Sequence, residues 1–426
     1  MLNYFIPVTL TLLFIALKFH VGPIQIRPFD GFVLIFLTWL FMQPSLITRT
    51  KISIGFVVLL PFYLVHVLSA LSVSPENGFR EILQVVVLLG FAFGINAVGD
   101  RIDYEKAGKV LMVGLFAVML YNIEWHIAHG FWSGWKRLLD PKAAFTYLPM
   151  LISLFLLFSP AEKRRFYWIL WGVVGVAVLF SGERKALLVY GIVSVALVSS
   201  GRLLLALPAL AAAVFALSIF ATLSNNEYLA RQVRTLLEPE VEGPSLAALA
   251  EGKMPRSISD AQRRFALDQV DDSFREHPVF GIGTNAYPDL IRQRFALLPD
   301  YLLTGVHGEP LRVLVENGLV GIVCYLAIWI SAVVRIFAVA SYFRRQHYFS
   351  TTQARLLPIL ILTPSLFYSS FEASGTRVFM SVILVSMAPA LLLRAVTKRR
   401  RANGRATEAR DMETVICSRY ETSFSK

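Results

Sequence analysis

Charge is scarce in this sequence. Asp, Glu, Lys and Arg make up 16% of its 426 residues, against about 25% in a soluble globular protein. Hydrophobic residues fill 56%, above the usual ~45–50%. A soluble enzyme and a disordered chain are both excluded by that balance. Cysteine is nearly missing. Cys324, inside an apolar run, and Cys417, in a polar tail, give no disulfide framework. Acid is the scarcer sign, 29 residues against 41 basic ones, for a net charge of +12. Much of the excess lies from Lys398-Arg399-Arg400-Arg401 onward. Basic residues just past an apolar span set orientation or touch anionic lipid, so no nucleic-acid partner is expected. Strict polar/apolar alternation is also lacking, which excludes a membrane β-barrel.

What is present is a series of continuous apolar runs, and the mean hydropathy is +0.59. About 20 helical residues cross the ~30 Å hydrocarbon core. We read about 12 such spans, near 4–20, 29–43, 52–73, 79–99, 108–128, 143–159, 166–181, 185–200, 202–222, 310–340, 354–371 and 376–395. The first lacks a basic leading region and a small-residue cleavage site, so it reads as a span and not a cleaved signal. Lys/Arg bias in the short loops, mainly at 162–165, 344–345 and the tail, places both termini in the cytoplasm. The expected fold is an all-α polytopic membrane protein. Transmembrane helices fill 1–222 and 310–397, and a basic cytoplasmic tail fills 398–426. The polar stretch 223–309 forms one long loop on the opposite, periplasmic side. Connections of that length usually carry function.

Within this loop, Ser259-Asp260-Ala261-Gln262 has capping-box form and predicts a helix to about Glu276, stopped by Pro278. Phe265, Val270 and Phe274 form its apolar edge. The following Phe280-Gly281-Ile282-Gly283-Thr284-Asn285 reads as a tight turn. Its Gly-x-Gly is not a dinucleotide fingerprint, since no third glycine or acidic partner follows.

Four groups carry candidate chemistry. Ser181-Gly182-Glu183-Arg184-Lys185-Ala186 puts two cations at a membrane edge, where an arginine fork suits phosphate. Arg263 and Arg264 on the loop helix can clamp a diphosphate or form a solvated face. Thr304-Gly305-Val306-His307-Gly308-Glu309-Pro310-Leu311-Arg312 contains a histidine that titrates near neutral pH. No third ligand stands near His307 and Glu309 at metal-binding spacing, so no metal is expected. Glu316-Asn317-Gly318-Leu319-Val320-Gly321 suggests close helix packing around a polar anchor. Glu372 and Arg377 flank the last outer turn and can pair with each other. His66 is the main ionisable group inside a span.

The stretch from Val306 to Gly321, with a His, then a Leu, then Glu-x-Gly-x-x-Gly, resembles the signature of the O-antigen ligase and polysaccharide polymerase superfamily. Ser181-Gly182-Glu183-Arg184-Lys185-Ala186 looks like its Ser/Thr-Gly-x-Arg-x-Ala turn. Arg263-Arg264 with Pro278-Val279-Phe280-Gly281-Ile282-Gly283 is similar to its Arg…Pro-x-x-Gly-x-Gly run. One departure is Gly308, where Asn commonly follows the histidine. The resemblance covers about 166–395.

It implies a GT-C type membrane glycosyltransferase fold and metal-independent, inverting glycan transfer without a cofactor, on the periplasmic side of a bacterial inner membrane. The donor would be a glycan on undecaprenyl diphosphate. The acceptor would be lipid A–core for a ligase, or another lipid-linked glycan for an O-antigen or exopolysaccharide polymerase. Other polysaccharide assembly proteins and membrane lipids are the expected partners. On this reading Arg184 and Arg264, with Arg263 as the alternate, hold the diphosphate. His307 is catalytic, as general base or as a donor to the diphosphate. Lys185, Arg312, Glu316, Gly318, Glu372 and Arg377 support them. The rival class is a polysaccharide or lipid-linked glycan transporter or flippase, which fits the span count. Against it, no matching halves are visible and charges gather at span ends.

Overall fold

In a computed structural model, the protein is described over residues 1–13, 19–21, 24–48, 50, 52–73, 75–129, 142–180, 184–199, 258–295, 306, 308–371 and 376–402. Its elements in order are α1 (Leu2–Leu12), β1 (Phe19–Val21), β2 (Ile24–Ile26), α2 (Pro28–Phe41), α3 (Pro44–Thr48), α4 (Ile54–Val73), α5 (Pro75–Val98), α6 (Tyr104–His129), α7 (Lys142–Phe158), α8 (Ala161–Phe180), α9 (Arg184–Val198), α10 (Ile258–Glu276), α11 (Tyr287–Arg294), α12 (Glu309–Arg345), α13 (Thr351–Phe371) and α14 (Thr376–Ala402).

Eleven of the twelve apolar stretches fall on described helices, and 202–222 lies outside the described residues. Five described helical segments are long and apolar enough to cross a membrane: Ile54–Val73, Gly78–Arg101, Tyr104–Glu124, Glu309–Arg345 and Met380–Lys398. The first stretch departs from expectation. Its helix ends at Leu12 and the chain then forms an antiparallel hairpin, Phe19 opposite Ile26 and Val21 opposite Ile24. Gly22-Pro23 between the strands and the β-branched Val21, Ile24 and Ile26 favour that outcome over helix.

Two apolar cores organise the bundle. The larger joins α1, α2, α4, α5, α12 and α14 around Phe29, Phe36, Phe62, Phe91, Ile328 and Phe343. The second joins α6–α9 and α13 around Leu115, Phe145, Ile152, Val174, Val189 and Leu360. Outward faces are apolar as well. On α12, Leu319, Val323, Leu326, Ile330, Val334 and Phe337 repeat at helical spacing and are all exposed. A helix apolar on every side belongs in a core or in lipid.

Local signals set the connections. Pro75 opens α5 directly after α4, so these two form a tight hairpin. Ser350 and Gln353 cap α13 reciprocally: the Ser350 amide donates to Gln353 Oε1 and the Gln353 amide to Ser350 Oγ. The α12–α13 hairpin therefore brings the start of α12 and the end of α13 to the same end of the bundle. The loop helix α10 runs over Ile258–Glu276 and stops before Pro278. Phe265 and Val270 are buried and Phe274 half-buried. Phe265 and Val270 pack with Tyr287, Ile291, Val306 and Val315 into a third, small core at the head of α12.

Candidate functional site

The site is built on a break in α12. Gly318 has φ 64° and ψ −161°, so helical bonding stops there. Continuous helix would pair the Leu319 amide with the Val315 carbonyl, and the Val320 amide with the Glu316 carbonyl. The segment after α10 enters the gap and replaces both bonds. Ile282 and Gly283 donate to the carbonyls of Val315 (2.9 Å) and Glu316 (3.0 Å), while Leu319 and Val320 donate to those of Pro278 (2.9 Å) and Val279 (3.1 Å). All four freed backbone groups regain a protein partner, as a membrane segment requires.

Only glycine permits the crossing. Gly281 has φ 73°, and a Cβ there would overlap the Glu316 carbonyl. At Gly318 it would strike the Val279 carbonyl and the Gly281 amide. The Pro-x-x-Gly-x-Gly run and the Glu-x-Gly run, separate motifs in the sequence, are thus two halves of one crossing.

Charge is buried beside it. Arg312 is 1% exposed, Glu309 0% and Glu316 2%. Arg312 grips both Glu309 oxygens, Nη2 to Oε1 at 2.6 Å and Nε to Oε2 at 3.0 Å, and its Nη1 meets Glu316 Oε2 at 2.6 Å. A fork holding two carboxylates offsets the desolvation of all three groups. The same bonds lock the first two turns of α12. The Glu316 carbonyl also accepts from Ser69 Oγ of α4 at 2.8 Å. Arg312 is thereby engaged with its own helix's carboxylates.

His307 lies outside the described residues, as does Glu372. The flanks of His307 are described. Val306 is fully buried in the small core, and Gly308, with φ 107°, forms the N-cap of α12. Arg263 and Arg264 fall in the second turn of α10, Arg184 is the first residue of α9 and Arg377 the second of α14. The side chains of these four lie outside the described residues, so the expected Glu372–Arg377 pair and diphosphate clamp do too. Arg275, next along the loop helix, makes an exposed ion pair with Asp271 at 2.7 Å. Lys185 Nζ lies 5.8 Å from the Tyr368 ring centroid, on the ring's face. Tyr368 packs on Tyr147, whose hydroxyl hydrogen-bonds Ser381. Lys185 and Tyr368 thus bring the starts of α7, α9 and α14 to the end of α13.

Sequence reasoning passed over Glu81 and Ser69 and named Asn317 only as part of the Glu316–Gly321 stretch; all three are buried around the break. Glu81 carried a usable signal, since a carboxylate just inside an apolar span is costly. Ser69 carried none.

Tyr287, in the small core, is fully buried and its hydroxyl has no hydrogen-bond partner among the described residues. Burial pushes its phenol above the ordinary value, so it stays neutral at working pH. Deleting an unsatisfied polar atom at constant shape is close to neutral. Tyr287→Phe is therefore expected to leave unfolding free energy within about 1 kcal/mol of wild type, or slightly above it, by thermal unfolding of purified protein. A large loss would mean that the hydroxyl bonds a partner after all.

The described geometry defines a multi-pass helical membrane protein with a polar, charge-bearing crossing at one end of its bundle. Residues 168–326 match a family model described as O-antigen ligase, and over this segment the resemblance read from the motifs is shown. The matched segment holds Arg184, Lys185, Arg263, Arg264, His307, Arg312, Glu316 and Gly318. It supports, in general terms, a membrane enzyme with glycan transfer of the O-antigen ligase type. No curated protein matches the chain.

Proposed function

We propose that the protein transfers a glycan from undecaprenyl diphosphate to an acceptor at the periplasmic face of a bacterial inner membrane, with inversion and without a metal. The acceptor is lipid A–core, or another lipid-linked glycan in the polymerase variant. The observation that carries this reading is the O-antigen ligase match over 168–326, which takes in both arginine motifs and the histidine segment.

The chemistry fits the residues. Breaking a glycosyl–diphosphate bond develops negative charge on the leaving oxygen. Arginine forks aimed at that charge lower the barrier most where water is sparse. Arg184 and Arg264, with Arg263 as alternate, take that task. His307 accepts the proton of the attacking hydroxyl or donates to the diphosphate. The Arg312–Glu309–Glu316 cluster and Gly318 hold the head of α12, one residue beyond His307, in a fixed place. Lys185, Glu372 and Arg377 support these groups. Both termini lie in the cytoplasm, about 12 helices span the bilayer, and 223–309 forms the periplasmic loop of a GT-C type fold.

The test is the glycan profile of the native host with the gene deleted, then restored. Long chains stranded on undecaprenyl diphosphate beside bare lipid A–core identify a ligase. Single repeat units in place of long chains identify a polymerase. Lipid-linked glycan confined to the cytoplasmic leaflet would overturn transfer in favour of a flippase.

A further inference from the structure

Two ionisable groups from outside the family-matched segment sit against the break. His66 on α4 and Glu81 on α5 face each other across the hairpin, Nε2 to Oε2 at 3.0 Å, with side chains 1% and 4% exposed. The other Glu81 oxygen accepts from Asn285 Nδ2, and half-exposed Arg80 lies 3.6 Å from it. Thr284 Oγ1 donates to the His66 carbonyl at 2.9 Å and accepts from Asn317 Nδ2 at 2.9 Å. It also lies 3.4 Å from His66 Nδ1. A hydroxyl has one hydrogen, and here the carbonyl takes it, so towards Nδ1 the hydroxyl is an acceptor. Nε2 faces a carboxylate. Both ring nitrogens thus face side-chain oxygens, Nε2 that of Glu81 and Nδ1 that of Thr284.

Among the described residues, Arg80 on α5 and Arg312 on α12 interact electrostatically with Glu81, and His66 with Glu316. A pair of ionisable groups buried in spanning helices is expensive and needs a reason.

We propose that His66 and Glu81 are positioning residues of the transfer reaction: the pair clamps Thr284 and Asn285 against Asn317, keeps α12 broken at Gly318, and so fixes Gly308 and the start of α12 where the chemistry occurs. This rests on the transfer reading above.

The experiment uses full-length protein in nanodiscs, with the host's own lipid-linked glycan and lipid A–core or lipid-linked acceptor as substrates. His66→Gln and Glu81→Gln are expected to lower kcat about 10- to 100-fold, the scale of a misplaced reacting group. KM for the donor is expected to stay unchanged. Thr284→Val should lose kcat likewise and Thr284→Ser retain it, a comparison that leaves the ion pair untouched and decides the matter if the first two variants do not fold. Folded His66→Gln with wild-type kcat, or equal activity of the two Thr284 variants, overturns the inference. Inactive wild type with both substrates present overturns the transfer reading as well. Active wild type with unaffected variants overturns the positioning role alone.

Discussion

Gly318→Ala is expected to abolish glycan transfer and to lower the unfolding midpoint of whatever protein reaches the membrane. A non-glycine residue in this essentially glycine-only region of backbone space costs about 1–3 kcal/mol. The added methyl also meets the Val279 carbonyl and the Gly281 amide, neither of which is a flexible side-chain end. Moving them strands the amides of Leu319 and Val320 and the carbonyls of Val315 and Glu316. Each buried group without a partner costs about 1–3 kcal/mol, so four together rival the ~5–15 kcal/mol of a typical fold. The chain has one escape. If α12 straightens, Leu319 and Val320 regain their own helical acceptors and the turn at 278–283 is expelled. The protein then persists, but Asn317 leaves Thr284 and the head of α12 is displaced. Transfer is lost on either route. Gly172→Ala is the control, because a Cβ there meets nothing within 4 Å. Size-exclusion profile, unfolding midpoint and transfer by the two variants make the comparison. Wild-type transfer by Gly318→Ala would mean that the crossing is dispensable.

The two glycine motifs show how far sequence reaches here. Composition and run length led to the membrane helices, because apolar content is a sum over many residues and survives errors at any one position. The loop helix was legible for a local reason: Pro278 marks its end, and the helix formed over Ile258–Glu276, with Ser259 inside its first turn rather than before it. The stretch 310–340 read as one continuous span, because nothing local distinguishes a helix-breaking glycine from one that lets helices pack closely. What distinguishes Gly318 is the turn at 278–283, and that encounter is tertiary. The first stretch failed for the opposite reason. Its hydropathy suited a span to residue 20, but a short hairpin took the residues from Phe19 on. His66 stood out as an ion inside a span. Its partner Glu81 was findable, since both lie at similar distances from Pro75 and an antiparallel hairpin brings such positions together. Thr284 and Asn317 were not findable as a pair, because only the break in α12 makes them neighbours.

The same logic governs the histidine. His307 stands between Val306, locked in the small core, and Gly308, whose positive φ turns the chain into α12. With both flanks held, a side-chain change at 307 should act on chemistry more than on folding. His307→Ala is expected to lower transfer by about 10²–10⁴-fold, the usual worth of a positioned general base, at an unchanged unfolding midpoint. His307→Gln then separates the two roles left open by the sequence. A glutamine amide donates a hydrogen bond but takes up no proton. If the imidazole removes the acceptor's proton, glutamine is as poor as alanine, and wild-type kcat/KM falls on the acid side where the ring is protonated. If the ring instead donates to the diphosphate, glutamine retains most of the rate and that acid limb is absent. Steady-state transfer across pH, with both variants at matched membrane levels, reads the difference. Full activity in His307→Ala would remove the residue from the mechanism and leave the arginines without a partner for the acceptor hydroxyl.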